Sequence, residues 1–300
     1  MAAVLAVAAP AAAPTRFEVL RWTVPGAELA ALTTQPAACL DNNSVNAGAG
    51  EALFNSPALL GGQAAKAGMS CASCHVNGRD NVHFVMAGVS GAPGTADVTN
   101  SFFSAARGNG RFDPVAIPDL ALPGKVARDP AAGALEPFIR TLIVEEFSGR
   151  EPTPAMLLAL GTYVRAVRAC PNDGARAPRT VDVQLLIIGS GLRGAIGMAR
   201  RGDPVAAREL LSAARHQLGL LAERFPAPRF ADEQRDLLAA SRALQALGDK
   251  ASEREIFTKL IWAWHQSFED GLAQRLRAKA PHSLYNPANL SFVAPQQNNR

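Results

Sequence analysis

Ser70-Cys71-Ala72-Ser73-Cys74-His75 is the stretch on which the reading of this 300-residue chain turns. Two cysteines spaced by two residues and followed directly by a histidine form the pattern C-x-x-C-H. On one helical turn, positions i, i+3 and i+4 share a face, so both thiols and the imidazole point the same way. That arrangement suits a covalently attached c-type haem. The thiols add to the two vinyl groups along one porphyrin edge, and His75 offers a ring nitrogen to the iron. Competing uses of the pair fit less well. A zinc site calls for about four Cys or His ligands, usually as two pairs, and the remaining cysteines, Cys39 and Cys170, stand alone. A redox C-x-x-C calls for a strand running into a helix, whereas residues 61–70 are rich in glycine and alanine. Cys71, Cys74 and His75 are therefore the expected cofactor-binding residues, with His75 as the metal ligand and one haem c as the cofactor.

The longer run around the motif extends this reading. Gly50-Glu-Ala-Leu-Phe-Asn-Ser-Pro-Ala-Leu, the motif itself, Ile117-Pro-Asp-Leu120 and Leu135-Glu-Pro-Phe138 together resemble the bacterial di-haem cytochrome c peroxidase and MauG-like family, over about residues 50–168. The resemblance implies a cytochrome c-like haem domain. Two differences from the family stand out. This chain has a single C-x-x-C-H where the family carries two haems. Where the family supplies a ligand methionine, the sequence reads Val126-Ala-Arg-Asp-Pro130. A mono-haem cytochrome that passes single electrons to a redox partner protein is the resulting expectation. The alternative is a peroxidase-like oxidoreductase that reduces peroxide at an open iron position, which also needs a distal acid–base group.

The sixth iron position has four candidate donors, Met69, His83, Met86 and Met156. His83 and Met86 follow His75 by eight and eleven residues. At about 3.3 Å per extended residue, either loop can reach the far side of a porphyrin. Met156 shares a helical face with Leu160, Tyr163 and Val167, which reads as core packing. An open or water-ligated iron is the remaining possibility.

Composition sets the frame. Hydrophobic residues make up 48%, charged residues 19% and aromatic residues only 6%, which describes a globular, alanine-rich helical chain. Formal charge is +4. Residues 1–180 hold 14 basic and 14 acidic side chains, and residues 181–300 hold 16 and 12. That mixed surface excludes nucleic-acid binding as the primary role. The start, Met1-Ala-Ala-Val-Leu-Ala-Val-Ala-Ala-Pro, reads as the apolar core of a signal peptide ending within residues 1–13; the alternative is a merely alanine-rich terminus. Covalent haem is attached outside the bacterial cytoplasm, so a periplasmic location follows from both readings together. That compartment permits a Cys39–Cys170 disulfide, the alternative being two buried thiols. No transmembrane segment is expected, since the most apolar run, Val181–Met198, contains Asp182, Arg193 and four glycines.

The expected fold class is all-α, a cytochrome c-like domain with irregular loops followed by a helical bundle. Residues 14–170 form the haem domain, opening with an irregular arm to residue 50, with short helices over 50–60 and 61–75. Residues 91–118 are a loop-rich cover, and 135–146 and 153–167 are closing helices. Pro171-Asn-Asp-Gly-Ala-Arg-Ala-Pro-Arg179 is the expected linker, crossed by few contacts. Residues 180–285 form a bundle of four helices starting near 181, 204, 231 and 251. Its histidines, His216 and His265, read as structural, and Trp262 and Trp264 as core anchors. Residues 286–300 read as a polar tail.

Overall fold

The computed structural model describes residues 17–103, 106–171 and 176–293. The expected signal peptide lies outside them. Helix accounts for 59% of the chain and strand for 6%, in keeping with an all-α class.

In chain order, a 3-10 turn at Glu18–Trp22 leads to α1 (Glu28–Thr33), β1 (Thr34–Pro36), β2 (Cys39–Leu40) and α2 (Val45–Phe54). The arm expected to be irregular is thus largely structured. α2 starts at Val45 because the Ser44 side chain accepts the Ala47 N–H at 3.2 Å, capping the helix. After α3 (Gly62–Ala67) the motif itself forms a single turn, α4 (Cys71–Cys74). The chain then runs through turns, tied by a short antiparallel ladder of β3 (Thr95–Ala96) and β4 (Val115–Ala116). α5 (Leu135–Thr141) widens into a π turn at Leu142–Glu146. α6 (Pro154–Ala166) starts on a Thr153 cap with Pro154 at its first position. β5 (Val167–Arg168) pairs with β2, and β6 (Arg176–Pro178) pairs with β1, both antiparallel.

Three C-terminal helices start at their expected positions, α7 (Val181–Arg200), α8 (Pro204–Arg224) and α9 (Ala231–Gly248), and are followed by α10 (Arg254–Phe268) and α11 (Gln274–Lys279). The fourth expected helix is broken by a π turn at Glu269–Ala273. Thr180 and Asp203 cap α7 and α8, their side chains accepting Val183 N–H and Ala206 N–H. α7 is long and apolar enough to cross a bilayer by length and composition, and 67% of that stretch is buried here.

α2 lies between α6 and α7 and joins the two parts of the chain. Small residues let the backbones close up. A side chain on Gly50 would meet the Ala159 carbonyl oxygen at 2.0 Å, and one on Gly194 would meet the Ala49 Cβ at 2.7 Å. One continuous hydrophobic core therefore runs from Leu53, Phe54 and Tyr163 through Leu185, Ile188 and Leu192 to Leu218 and Ile261. This corrects the expectation that few contacts cross 171–179. Of that segment, Arg176–Pro178 is itself a strand: the Arg176 Nε donates to Thr34 Oγ1 at 2.7 Å, and the Arg179 N–H donates to the Thr33 carbonyl at 2.9 Å. Pro178, and Pro36 on the partner strand, are tolerated because the two-strand ladder is all edge. The tail expectation is also corrected in part. Residues 287–293 form a 3-10 helix, and Leu290 packs with Phe17, Leu32 and Leu284.

Cys39 and Cys170 are bridged, with Cα atoms 5.1 Å apart beside the β2·β5 ladder. They are 131 residues apart in sequence, a span over which chain-entropy reasoning gives a stabilisation of about 4–5 kcal/mol.

Candidate haem-attachment site

The α4 turn is fixed by its own serines. Ser70 and Ser73 form a capping box, in which the Ser70 N–H donates to Ser73 Oγ at 3.1 Å. The His75 N–H donates to the Cys71 carbonyl at 2.9 Å, a full helical i to i+4 bond that sets Cys71, Cys74 and His75 on one face. Asn77 and Gly78 then reverse the chain with φ of 55° and 71°. Asn77 Nδ2 donates to the Pro36 carbonyl and Asn81 Nδ2 to the Ser73 carbonyl, each at 2.9 Å, so the turn is held from both sides.

His75 Nδ1 lies 3.0 Å from the Pro118 carbonyl oxygen. A carbonyl only accepts, so this contact assigns the ring proton to Nδ1 and leaves the Nε2 lone pair free. Burial holds the imidazole neutral, with its pKa lowered to about 4, against smaller raising effects from Pro118 and Asp119. A neutral ring with Nδ1 tied to a carbonyl is the form in which histidine ligates a metal. Pro118 is itself anchored. Arg79 Nε donates to both Asp119 carboxylate oxygens at 2.8 Å, and the Leu120 N–H donates to the Gly78 carbonyl at 3.2 Å. The Ile117-Pro-Asp-Leu120 segment, read in sequence only through family resemblance, thus positions the histidine.

Cys71 and Cys74 are free thiols packed against the main core. Burial pushes both up to about 12, so they are protonated at neutral pH. The Phe54 ring lies 6.4 Å from His75 and 5.2 Å from Tyr163, forming an aromatic wall beside the motif. Glu51 was missed in the sequence. Burial pushes its carboxyl up to about 7, and the phenol of fully buried Tyr163 is raised by burial first and by the nearby Glu51 second. Only its place in α2, one turn before Phe54, hinted at this.

The candidate distal donors separate. Met69 and Met156 are buried, and Met86 packs against the same core as the two thiols. His83 instead lines a small pocket with Thr34, Pro36, Arg176 and Arg179, to which none of the three motif residues contributes. His216 Nε2 is 3.3 Å from Glu18 Oε1, and His265 Nε2 is 3.8 Å from Glu269 Oε1. Trp264 stacks on Phe268 at 5.0 Å, whereas Trp262 is half exposed, which corrects its reading as a core anchor. Among the described residues, no three His, Cys, Asp or Glu side chains converge as a metal-binding group. No family model, curated protein or solved structure matches this chain.

Proposed function

We propose that this protein is a c-type cytochrome of the periplasm that holds one haem through Cys71 and Cys74 and carries single electrons to a redox partner protein. The observation that carries this reading is the His75 Nδ1 contact with Pro118, at 3.0 Å. It aims an unprotonated Nε2 away from the carbonyl while two unpaired thiols share the same turn. The donor set fits the group: two thiols for the thioether bonds and one imidazole for the iron. When bound, haem supplies a one-electron ferric–ferrous couple.

The chain's own residues do the rest. Arg79 and Asp119 hold the 117–120 segment, which orients His75. The crossing of α2 on α6 places Phe54 and Tyr163 as a dry wall beside the ring. Low polarity around an iron site is one determinant of its potential. The same crossing supports a cytochrome c-like haem domain, with the motif packed against two helices that meet at Gly50. Met69, Met86 and Met156, which belong to or pack on the core that the thiols pack against, are the residues that would offer a thioether sulfur to the iron.

A peroxidase-like reading has one observation in its favour. The buried Glu51 carboxyl, with a pKa raised to about 7, is poised to take or give a proton near neutrality. Absorption spectra of the ferric and ferrous forms decide between the two. Low-spin bands with a methionine–iron charge-transfer feature support the carrier. High-spin iron that reacts with peroxide, and loses that reactivity in Glu51→Gln, supports the enzyme.

A further inference from the structure

The Cys39–Cys170 disulfide joins two strands of unequal firmness: Cys39 lies in β2, and Cys170 follows β5 by two residues. β5 continues α6, and Ala166 and Val167 are buried in the core. β2 lies at the surface, with residues 37–40 half-buried and 41–44 exposed. Among the described residues, three further joints connect the strands. They are the two-residue ladder itself, the Asp41 N–H donating to the Ala166 carbonyl at 3.1 Å, and an exposed ion pair of Arg168 with Asp41. A two-stranded ladder is marginal in water, and an exposed ion pair is worth about 0–1 kcal/mol. The disulfide is therefore the joint that carries the rigidity of α6 over to β2.

Ala37, just before β2, puts that rigidity to use. Its carbonyl accepts Arg79 Nη1 at 2.9 Å. Arg79 also donates through Nε to both Asp119 carboxylate oxygens at 2.8 Å, with Nη2 2.7 Å from Oδ2. The residue before Asp119 supplies the carbonyl 3.0 Å from His75 Nδ1. Neighbouring holds do not pass through the disulfide. Pro36, whose carbonyl accepts from Asn77, pairs with Arg176 on β6. Arg128 ties the Leu120 carbonyl to those of Val164 and Arg165 at the end of α6. It is the Pro118 end of the 117–120 segment, and with it the imidazole, that depends on Ala37.

We propose that Cys39 and Cys170 are positioning residues for His75: their disulfide fixes the Ala37 carbonyl on which Arg79 rests, and its reduction by a dithiol lets Arg79, Asp119 and Pro118 draw away from the ring. In that step the S–S bond breaks and two S–H groups form, while the dithiol gives up two electrons and two protons and leaves as a disulfide. A ligating histidine whose other nitrogen donates to a carbonyl is the more basic ligand, so losing that bond raises the potential of the iron. This consequence rests on the haem reading; the orientation of His75 does not.

A full-length Cys39→Ser, Cys170→Ser double variant tests the proposal beside wild type and Leu244→Ala, which removes buried side-chain volume from α9 instead. In the chain without haem, nitrogen NMR reads the His75 tautomer. The ratio of Nδ1-protonated to Nε2-protonated ring should fall about five- to tenfold in the double variant and stay unchanged in Leu244→Ala. In haem-loaded protein the midpoint potential should rise in the double variant and in Arg79→Gln, and removing the disulfide from Arg79→Gln should add no further rise. Haem-loaded wild type treated with dithiothreitol should show the same rise. There Cys71 and Cys74 are thioethers and only the Cys39–Cys170 bond is open to reduction, so this arm decides the matter should the double variant fail to fold. The inference is overturned if tautomer and potential keep their wild-type values without the disulfide, if Leu244→Ala shifts them as much, or if the effects of disulfide loss and Arg79→Gln simply add. A chain that takes up no haem, yet changes its tautomer with the disulfide, upholds the inference and removes the haem reading alone.

Discussion

The helices after residue 180 and the segments before it hold their shape by different means. α7 to α10 are 15 to 21 residues long, and most of their hydrogen bonds are internal. The earlier part has helices of 4 to 13 residues, two-residue ladders and long turns, so its backbone must be pinned by contacts distant in sequence. Arg128 illustrates this, its guanidinium donating to the carbonyls of Leu120, Val164 and Arg165. Arg79 does the same around Pro118. Short elements cannot be stable alone; here they are stitched together around the Cys71–His75 turn.

The largest effect is expected from separating the two parts. A chain ending at Pro171 exposes the face of α2 that packs on α7, including Ala49 and Ala52, along with the apolar core behind it. It should lose its cooperative thermal transition and aggregate. A soluble fragment with a sharp melt would show instead that the first part folds by itself.

Two glycines sharpen the contrast. Gly50→Val drives a side chain into the Ala159 carbonyl, 2.0 Å from the new Cβ, and should cost about 3 kcal/mol or more. Gly219 in α8 has nothing within 4 Å of a built Cβ, so Gly219→Ala should stabilise by up to about 1 kcal/mol through helix propensity. Paired denaturant melts read both. Equal effects of either sign would mean that α2 and α6 are not in close contact.

A smaller effect is expected from the ion pair that joins α5 to α6. Arg165 Nη2 donates to Glu136 Oε2 at 2.7 Å, and this bonding holds the Glu136 carboxyl below its usual value of 4.5. The stability it adds is fully present above about pH 4.5 and is lost as pH falls through the lowered value. Glu136→Gln should cost about 2 kcal/mol at pH 7, the pair being partly exposed. It should also flatten the acid side of the melting-temperature profile. An unchanged acid slope would assign that slope to other carboxylates.

The two parts also differ in how far the sequence discloses them. In α8, Leu210, Leu211, Leu218 and Leu221 recur at helical spacing and all are buried, and capping residues mark the ends. In α10, helical spacing groups Ile256, Leu260, Ile261, Trp264 and Phe268 as one stripe, and of these Ile261 and Phe268 are buried while Ile256 and Leu260 are exposed, with Phe257 buried in addition. All of these residues are apolar, and only packing selects among them. In the earlier part, β1 and β6 pair across about 140 residues of sequence, a contact without local signature. The grouping of Cys71, Cys74 and His75 on one turn was legible because the spacing itself fixes it. The Pro118 carbonyl that orients His75 was not, since backbone acceptors carry no residue type. The seam between α2 and α7 left a faint trace in Gly48, Ala49 and Ala52 facing Ser190, Gly191 and Gly194.

The proposed function requires that Cys71 and Cys74 hold haem covalently. Protein matured in cells equipped for c-type haem attachment, then extracted with acidified organic solvent, tests it most directly. The protein should keep its colour and one haem per chain through extraction, because thioether bonds survive, and the Cys71→Ala, Cys74→Ala double variant should emerge colourless. Haem that leaves the wild-type chain on extraction, or a double variant that retains it as well as the wild type does, would rule out covalent attachment through these thiols.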